Sequence, residues 1–192
     1  KIVRKIKEKY QCRLLLTVVA RHVPSKRHFL LLQALASVIN EKCLDIKCLL
    51  LDEGPLTNNL QQFVQLENLE NNIFFIGYSK DVMNYISAAD FIPHISESEA
   101  SNSVIKEAGM LKKNVAICKG VGDFDDYIED FKNGFSFDLD KTKEQLEEVL
   151  SLVYENPEKF SYLGSNLKIT VTEKFDIEKV IDFYSLITKA HE

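Results

Sequence analysis

Apolar residues along the chain come in short unbroken runs, separated by segments in which they recur at helical spacing. Residues 13–20, RLLLTVVA, read as a buried strand, because a run of leucine and valine without polar alternation suits a strand covered on both faces. After Pro24 and Ser25, the positions Phe29, Leu32, Leu35, Ala36 and Ile39 fall on one side of a helix over 27–40. The run 45–55, DIKCLLLDEGP, predicts a second strand ending in a turn at Gly54 and Pro55. Helical spacing over 57–67 follows, and NIFFIGY from Asn72 is a third strand closed by Gly77. A short helix over 81–88 leads into a fourth strand over 90–95, with Pro93 near its carboxyl end, where a missing ladder donor is tolerated. A helix over 103–112, a strand from Asn114, a Gly-Val-Gly turn at 120–122, a short helix over 124–130 and a strand over 134–137 come next. Helices over 142–154, 157–165 and 176–189 complete the pattern.

Strands alternating with helices of this length predict parallel βα units. The expected fold is therefore a single Rossmann-like α/β domain, an open, mainly parallel sheet with helices on both faces. In such a sheet the ligand crevice lies outside the carboxyl ends of the strands. Arg21 and Lys26 follow the first strand, Glu53 and Gly54 the second, Gly77 the third, Glu99 to Asn102 the fourth and Gly120 to Asp126 the fifth. All are expected on one rim.

The 192 residues, 45% of them hydrophobic, suffice for one sizeable core. Against 29 Asp and Glu stand 24 Lys and Arg, a net charge of -5 that gives no support to a nucleic-acid partner. Cys12, Cys43, Cys48 and Cys118 form no CxxC pair and sit in mostly apolar surroundings, which points to reduced thiols and a cytoplasmic protein. No apolar run reaches the roughly 18 residues of a membrane span. The opening KIVRKIKEKYQ lacks the apolar centre of a signal peptide. Residues 1–12 read as a linker or remnant, and the domain as 13–192.

The richest stretch chemically is SESEASNSVIKEAG over 96–109. A helix beginning near Asn102 or Ser103 leaves its first amides, including those of Ser103 and Val104, without intrahelical acceptors, and such amides donate naturally to phosphate. Ser101, Asn102 and Ser103 all suit a cap. Glu107 then stands about one turn inside the helix, where a carboxylate can accept from both hydroxyls of a ribose. Glu99 lies outside the helix and can face another group of the same ligand. In ARHVPSK, Arg21 and Lys26 flank a short loop that could fold both cations over one diphosphate. Taken singly, each of these acids and cations also reads as a solvated surface residue. Asp123, Asp125 and Asp126 read as a turn and helix cap rather than a cation site, so no metal is assigned. Gly-Val-Gly is not GxGxxG, and no serine sits in a nucleophile elbow. Of the histidines, His22 and His94 fall near the rim, whereas His28 and His191 read as unremarkable.

Together these residues resemble the C-terminal, donor-binding domain of retaining glycosyltransferases of family 4 (glycosyl transferases group 1), one half of the two-domain GT-B arrangement. The likeness runs from about Leu14 to Leu186. Its most specific element is the acid, seven residues, acid signature at Glu99 and Glu107, followed by Ala108. Arg21 and Lys26, Asp52-Glu53-Gly54-Pro55, Phe75-Ile76-Gly77, Asp81-Val82, Ala88-Ala89-Asp90 and Asn133-Gly134-Phe135 support it in order.

The resemblance implies that Glu107 binds the ribose of a nucleotide sugar and that Glu99 lies at the transferred sugar. It further implies that Arg21 and Lys26 meet the diphosphate and that the segment from Gly77 to Val82 holds the base. The donor is then a UDP-sugar or GDP-sugar, transfer retains the anomeric configuration, and no metal or other cofactor is needed. The acceptor, a glycan or lipid-linked glycan, would be held by an N-terminal domain preceding this region, against which the helix over 176–189 would brace. The full-length enzyme would act in the cytoplasm, with possible peripheral association at the inner face of the plasma membrane. The family commonly has glycine directly after the first acid and again two positions later; this chain has Ala100 and Asn102. Positive φ at Ala100 would be strained. A noncatalytic module for a nucleotide or phosphosugar is the alternative reading.

Overall fold

A computed structural model describes residues 1–176. Six strands, β1 (Leu14–Val19), β2 (Ile46–Leu51), β3 (Ile73–Gly77), β4 (Phe91–His94), β5 (Asn114–Cys118) and β6 (Phe135–Phe137), form one parallel sheet in the order β3-β2-β1-β4-β5-β6. The order reverses between β1 and β4, the point at which an open α/β sheet leaves a crevice at its carboxyl edge.

Among the described residues seven α-helices cover the sheet: α1 (Ile2–Lys9), α2 (His28–Ala36), α3 (Thr57–Leu66), α4 (Val82–Ala88), α5 (Ser103–Met110), α6 (Thr142–Glu155) and α7 (Ser161–Lys174). On one face α2 packs against α3 and α6; on the other α1 packs on α4, α4 on α5 and α5 on α7. Because both faces are covered, Leu14, Leu15, Leu16 and Val18 of β1 are all buried, and the strand has no polar alternation to show. Pro93, next to last in β4, pairs with Ala116 of β5.

Three elements differ from the sequence reading. The segment 1–12, expected as a linker, contains α1, whose Ile6 is buried, with Tyr10 just after it, against Leu15, Leu49 and Ala88. The apolar face recurs at helical spacing, but Lys1, Arg4, Lys5, Lys7 and Lys9 mask it. The helix expected over 157–165 is a 3-10 turn, Pro157–Phe160, followed by the longer α7. Gly164, inside α7, is a contact point: a Cβ there would stand 2.1 Å from the Lys112 carbonyl oxygen. The short helix over 124–130 is one 3-10 turn, Phe124–Asp126. The helix expected over 176–189 lies outside the described residues.

Candidate functional site

The loops at the carboxyl edge are stitched to one another by hydrogen bonds. The loop after β1 meets that after β2, where the His22 amide donates to the Glu53 carbonyl at 3.3 Å and the Leu56 amide to the His22 carbonyl at 3.1 Å. It also meets the loop after β4: the Glu97 amide and the Ser96 hydroxyl both donate to the Ser25 carbonyl, at 2.9 and 3.0 Å. The loop after β5 closes on the same region. Gly122, at φ 57°, lies so near Glu99 that a Cβ would be 2.9 Å from the Glu99 Cβ.

At the point of reversal, Lys26 from a 3-10 turn (Pro24–Lys26) after β1 donates through Nζ to Oε1 of Glu99 from the loop after β4. His94 Nε2 lies 2.5 Å from the same oxygen. Only 10% of the Glu99 side chain is exposed, so this pairing is shielded from water and salt. Burial works against the Glu99 charge, but the hydrogen bonds from His94 and Lys26 outweigh it and hold the carboxyl at about 2, down from 4.5. Arg27, next in sequence, takes φ 55° and is anchored by donating to the Leu139 carbonyl at 3.0 Å and to Thr142 Oγ1 at 3.2 Å.

Asn102 caps α5, its Oδ1 accepting from the Ile105 amide at 3.1 Å. Ser103 and Val104 form the first turn, whose amides have no acceptor within the helix. Neither Ala100 nor Asn102 has positive φ, so the strain expected of a replaced glycine is absent there. Ser101 is tied down instead: its hydroxyl donates to Asp123 Oδ2 at 2.9 Å, and Lys106 Nζ donates to both at 2.6 Å. Lys106 also stands over the rings of Phe175 and Tyr127, at 4.5 and 5.5 Å. Asp125 accepts from the Gly120 amide at 2.8 Å, so Asp123 and Asp125 serve different partners. Among the described residues no three His, Cys, Asp or Glu side chains converge as a metal would require.

The remaining sites from the sequence are spread around this centre. Arg21 is exposed on the rim, and among the described residues its guanidinium makes no hydrogen bond or ion pair. Gly77 ends β3 at φ 73°, its carbonyl accepting from the Asp52 amide at 2.9 Å. Val82, partly buried, packs its side chain against the apolar core. Glu107 does not touch Glu99; it lines a separate open depression of about 460 Å³ with Ser103, Met110, Val171 and Phe175.

His28 proves more than unremarkable. It is 1% exposed, its ring 4.7 Å from that of His22, and neither ring nitrogen has a well-formed hydrogen bond. Burial first, then His22 and His94, push its pKa from 6.5 down to about 3, against the pull of the Ala20 carbonyl. His22 Nδ1 lies 2.8 Å from Thr57 Oγ1. His191 lies outside the described residues. Lys106 had no signal in spacing alone, since Asp123 comes from the loop after β5; His94 fell near the rim in the sequence, but nothing there marked Glu99 and Asn102 as its partners.

Residues 1–169 match the model of the family described as glycosyl transferases group 1. The poly(ribitol-phosphate) alpha-N-acetylglucosaminyltransferase of Staphylococcus aureus is 25% identical over 164 residues, 85% of this chain and 33% of that one. The N-acetyl-alpha-D-glucosaminyl L-malate synthase of Bacillus anthracis is 26% identical over 155 residues, 81% of this chain and 40% of its own. The crystal structure of Anabaena Alr3699/HepE in complex with UDP superposes with a TM-score of 0.88 at 21% identity, covering 98% of this chain and 52% of that one. The fold is thus the Rossmann-like half of a GT-B arrangement, and the chain spans between a third and about half of the length of these relatives. Among the described residues no helix is long and apolar enough to cross a membrane.

Proposed function

Because the chain belongs to the glycosyl transferases group 1 family, we propose that it is the donor-binding half of a retaining, metal-independent glycosyltransferase that moves a hexose-type sugar from a nucleoside diphosphate. The observation that carries this reading is the meeting of Lys26 and Glu99, from the loops after β1 and β4, at the place where the strand order reverses. A cation and an ionised acid held together there can serve two parts of one ligand.

Lys26 has three donors and can keep Glu99 while reaching a phosphate. With the exposed Arg21 it would offset charge that builds on the diphosphate as the glycosidic bond breaks. The amides of Ser103 and Val104, with Ser101 and Asn102 holding the turn, would take the phosphate oxygens. Glu99 would accept from a hydroxyl of the transferred sugar, Glu107 from the ribose, and the backbone from Gly77 to Val82 would border the base. The names of the two curated relatives specify N-acetylglucosaminyl groups, which supports a UDP-hexosamine as the first donor to test, ahead of a GDP-sugar.

The acceptor, a glycan or a lipid-linked glycan, would be held by a further domain, and catalysis requires both substrates in one dry cleft. This chain alone is therefore expected to bind nucleotide and to transfer no sugar. In the whole protein the reaction would run in the cytoplasm, with peripheral contact at the membrane's inner face. A noncatalytic nucleotide or phosphosugar module is the second reading, favoured by Ala100 and Asn102 in place of the family's glycines.

Calorimetry with UDP, GDP and their sugars, with and without a divalent cation, tests the assignment. Binding between micromolar and millimolar is expected, weakened at least about tenfold, roughly 1.4 kcal/mol, by Lys26→Ala or Glu107→Ala. Unchanged affinity in both variants removes the site. Sugar transfer by the whole protein separates enzyme from module.

A further inference from the structure

His94 belongs to no part of the acid, seven residues, acid signature, yet it touches the loop after β4 at both Glu99 and Asn102. Its Nε2 lies 2.5 Å from Glu99 Oε1 and 3.0 Å from Asn102 Nδ2. Asn102 cannot turn its amide over without losing the helix cap, because Oδ1 already accepts from the Ile105 amide. An NH2 group therefore faces the imidazole. One ring nitrogen cannot accept from Asn102 and donate to Glu99 together. The contact with the carboxylate is the shorter and is assisted by charge, so it takes the proton. His94 then carries hydrogen on Nε2 and donates to Oε1, while Asn102 fills the space beside it.

The oxygen that His94 holds is also the one that Lys26 holds. Oε2 of Glu99 makes no side-chain hydrogen bond among the described residues, so it is the oxygen available to a ligand. Lys26 is the group expected to be drawn toward a diphosphate. Were it the sole partner of Glu99, donor binding would strip a largely buried carboxylate of its counter-charge as the sugar arrived. His94, 4% exposed and packed edge-on against Phe124 at 5.9 Å, cannot follow the ligand.

We propose that His94 is a positioning residue for donor-sugar recognition, fixing Glu99 by Oε1 so that Oε2 stays presented to a sugar hydroxyl while Lys26 serves the phosphate. The inference rests on the function proposed above. The charged or titratable groups facing His94 are Glu99, Lys26 and His28; Phe124 is the apolar wall.

The test is the sugar increment, the ratio of Kd for UDP to Kd for UDP-N-acetylglucosamine, measured by calorimetry on this chain. H94L is expected to cut the increment about tenfold, and H94Q, whose amide can stand where Nε2 stands, to recover most of it. H94N, whose amide reaches only the Nδ1 position, should behave like H94L. In a carbon-detected NMR titration, the Glu99 carboxyl should titrate at higher pH in H94L than in the wild type and H94Q. An increment and a Glu99 titration unchanged in a folded H94L overturn the inference alone. If H94L fails to fold, equal behaviour of H94Q and H94N overturns it. A wild-type chain that binds neither UDP nor its sugar overturns the function and this inference with it.

Discussion

The two edges of the sheet use the same residue types for different ends. At the amino edge the charged side chains mainly close backbone groups that the fold must satisfy, although Asp90 also pairs with Lys7 at 3.4 Å. Arg13 donates to the carbonyls of Tyr154 and Glu155 at 2.9 and 3.4 Å, closing the end of α6, and stands 4.8 Å from the Tyr154 ring. Lys113 donates to the Ser87 carbonyl at 2.7 Å, in the last turn of α4. Asp45 and Asp90 each accept from a backbone amide, those of Arg13 and Leu15, at 3.0 Å. At the carboxyl edge, Lys26 and His94 both hold Glu99, and among the described residues the Arg21 guanidinium holds nothing. A charge that closes a helix end cannot leave without cost to the fold, whereas a charge paired with another side chain can exchange partners when a ligand arrives. Depressions exist at both edges, including one of about 330 Å³ lined by Arg13 and Lys113. The kind of partner, rather than the volume, tells them apart.

That contrast can be broken at several points. The largest effect is expected behind the amino edge. Gly164→Val would drive a side chain into the Lys112 carbonyl, and chemical denaturation should show a loss of at least about 3 kcal/mol. A loss under 1 kcal/mol, on the order of a surface change, would mean that α7 does not sit so close to α5.

Beneath the carboxyl edge, His28 supplies a pH dependence. Its folded pKa is depressed from 6.5 to about 3, so its contribution is complete above 6.5 and is lost as pH falls toward 3. Stability should drop by roughly 2 kcal/mol between about pH 7 and pH 5, and His28→Phe should flatten that slope. An equal slope in the variant would place the charge uptake elsewhere. Glu99 follows the same sign lower down: its contribution is present above 4.5 and fades as pH falls toward about 2.

Smaller effects sharpen the comparison. Arg13→Ala should cost about 1 to 2 kcal/mol of stability in denaturant melts and leave nucleotide affinity within about twofold. Arg21→Ala should do the reverse: stability unchanged within about 0.5 kcal/mol, and UDP affinity about threefold weaker by calorimetry. If both variants moved the same quantity, the division between the edges would be wrong.

Much of this was legible in the residues. Runs such as RLLLTVVA announce a strand covered on both faces, and the charged positions after successive strands do gather at one edge. What escaped depends on contacts between distant segments. Lys26 and Glu99 are 73 residues apart, and no periodicity marks them as a pair. His28 opens α2 as a polar residue, and nothing local says that it is buried. In α1, charge outnumbers the apolar positions that pack, and nothing in the sequence near Gly164 points to Lys112 against it. Ala100 and Asn102 stand where the family commonly has glycine. They are instead part of a loop shaped by side chains, in which Asn102, Ser96 and Ser101 hold what backbone freedom would otherwise adopt.

Arg27 carries one more consequence. A non-glycine residue at φ 55° persists when its side chain is fastened, and here the fastening is to Leu139 and Thr142, at the entrance of α6. The lysine beside it thus takes its bearing from a hinge pin in the loop between β6 and α6. Drift at Thr142, a buried threonine, would be felt first as a mis-aimed ammonium group.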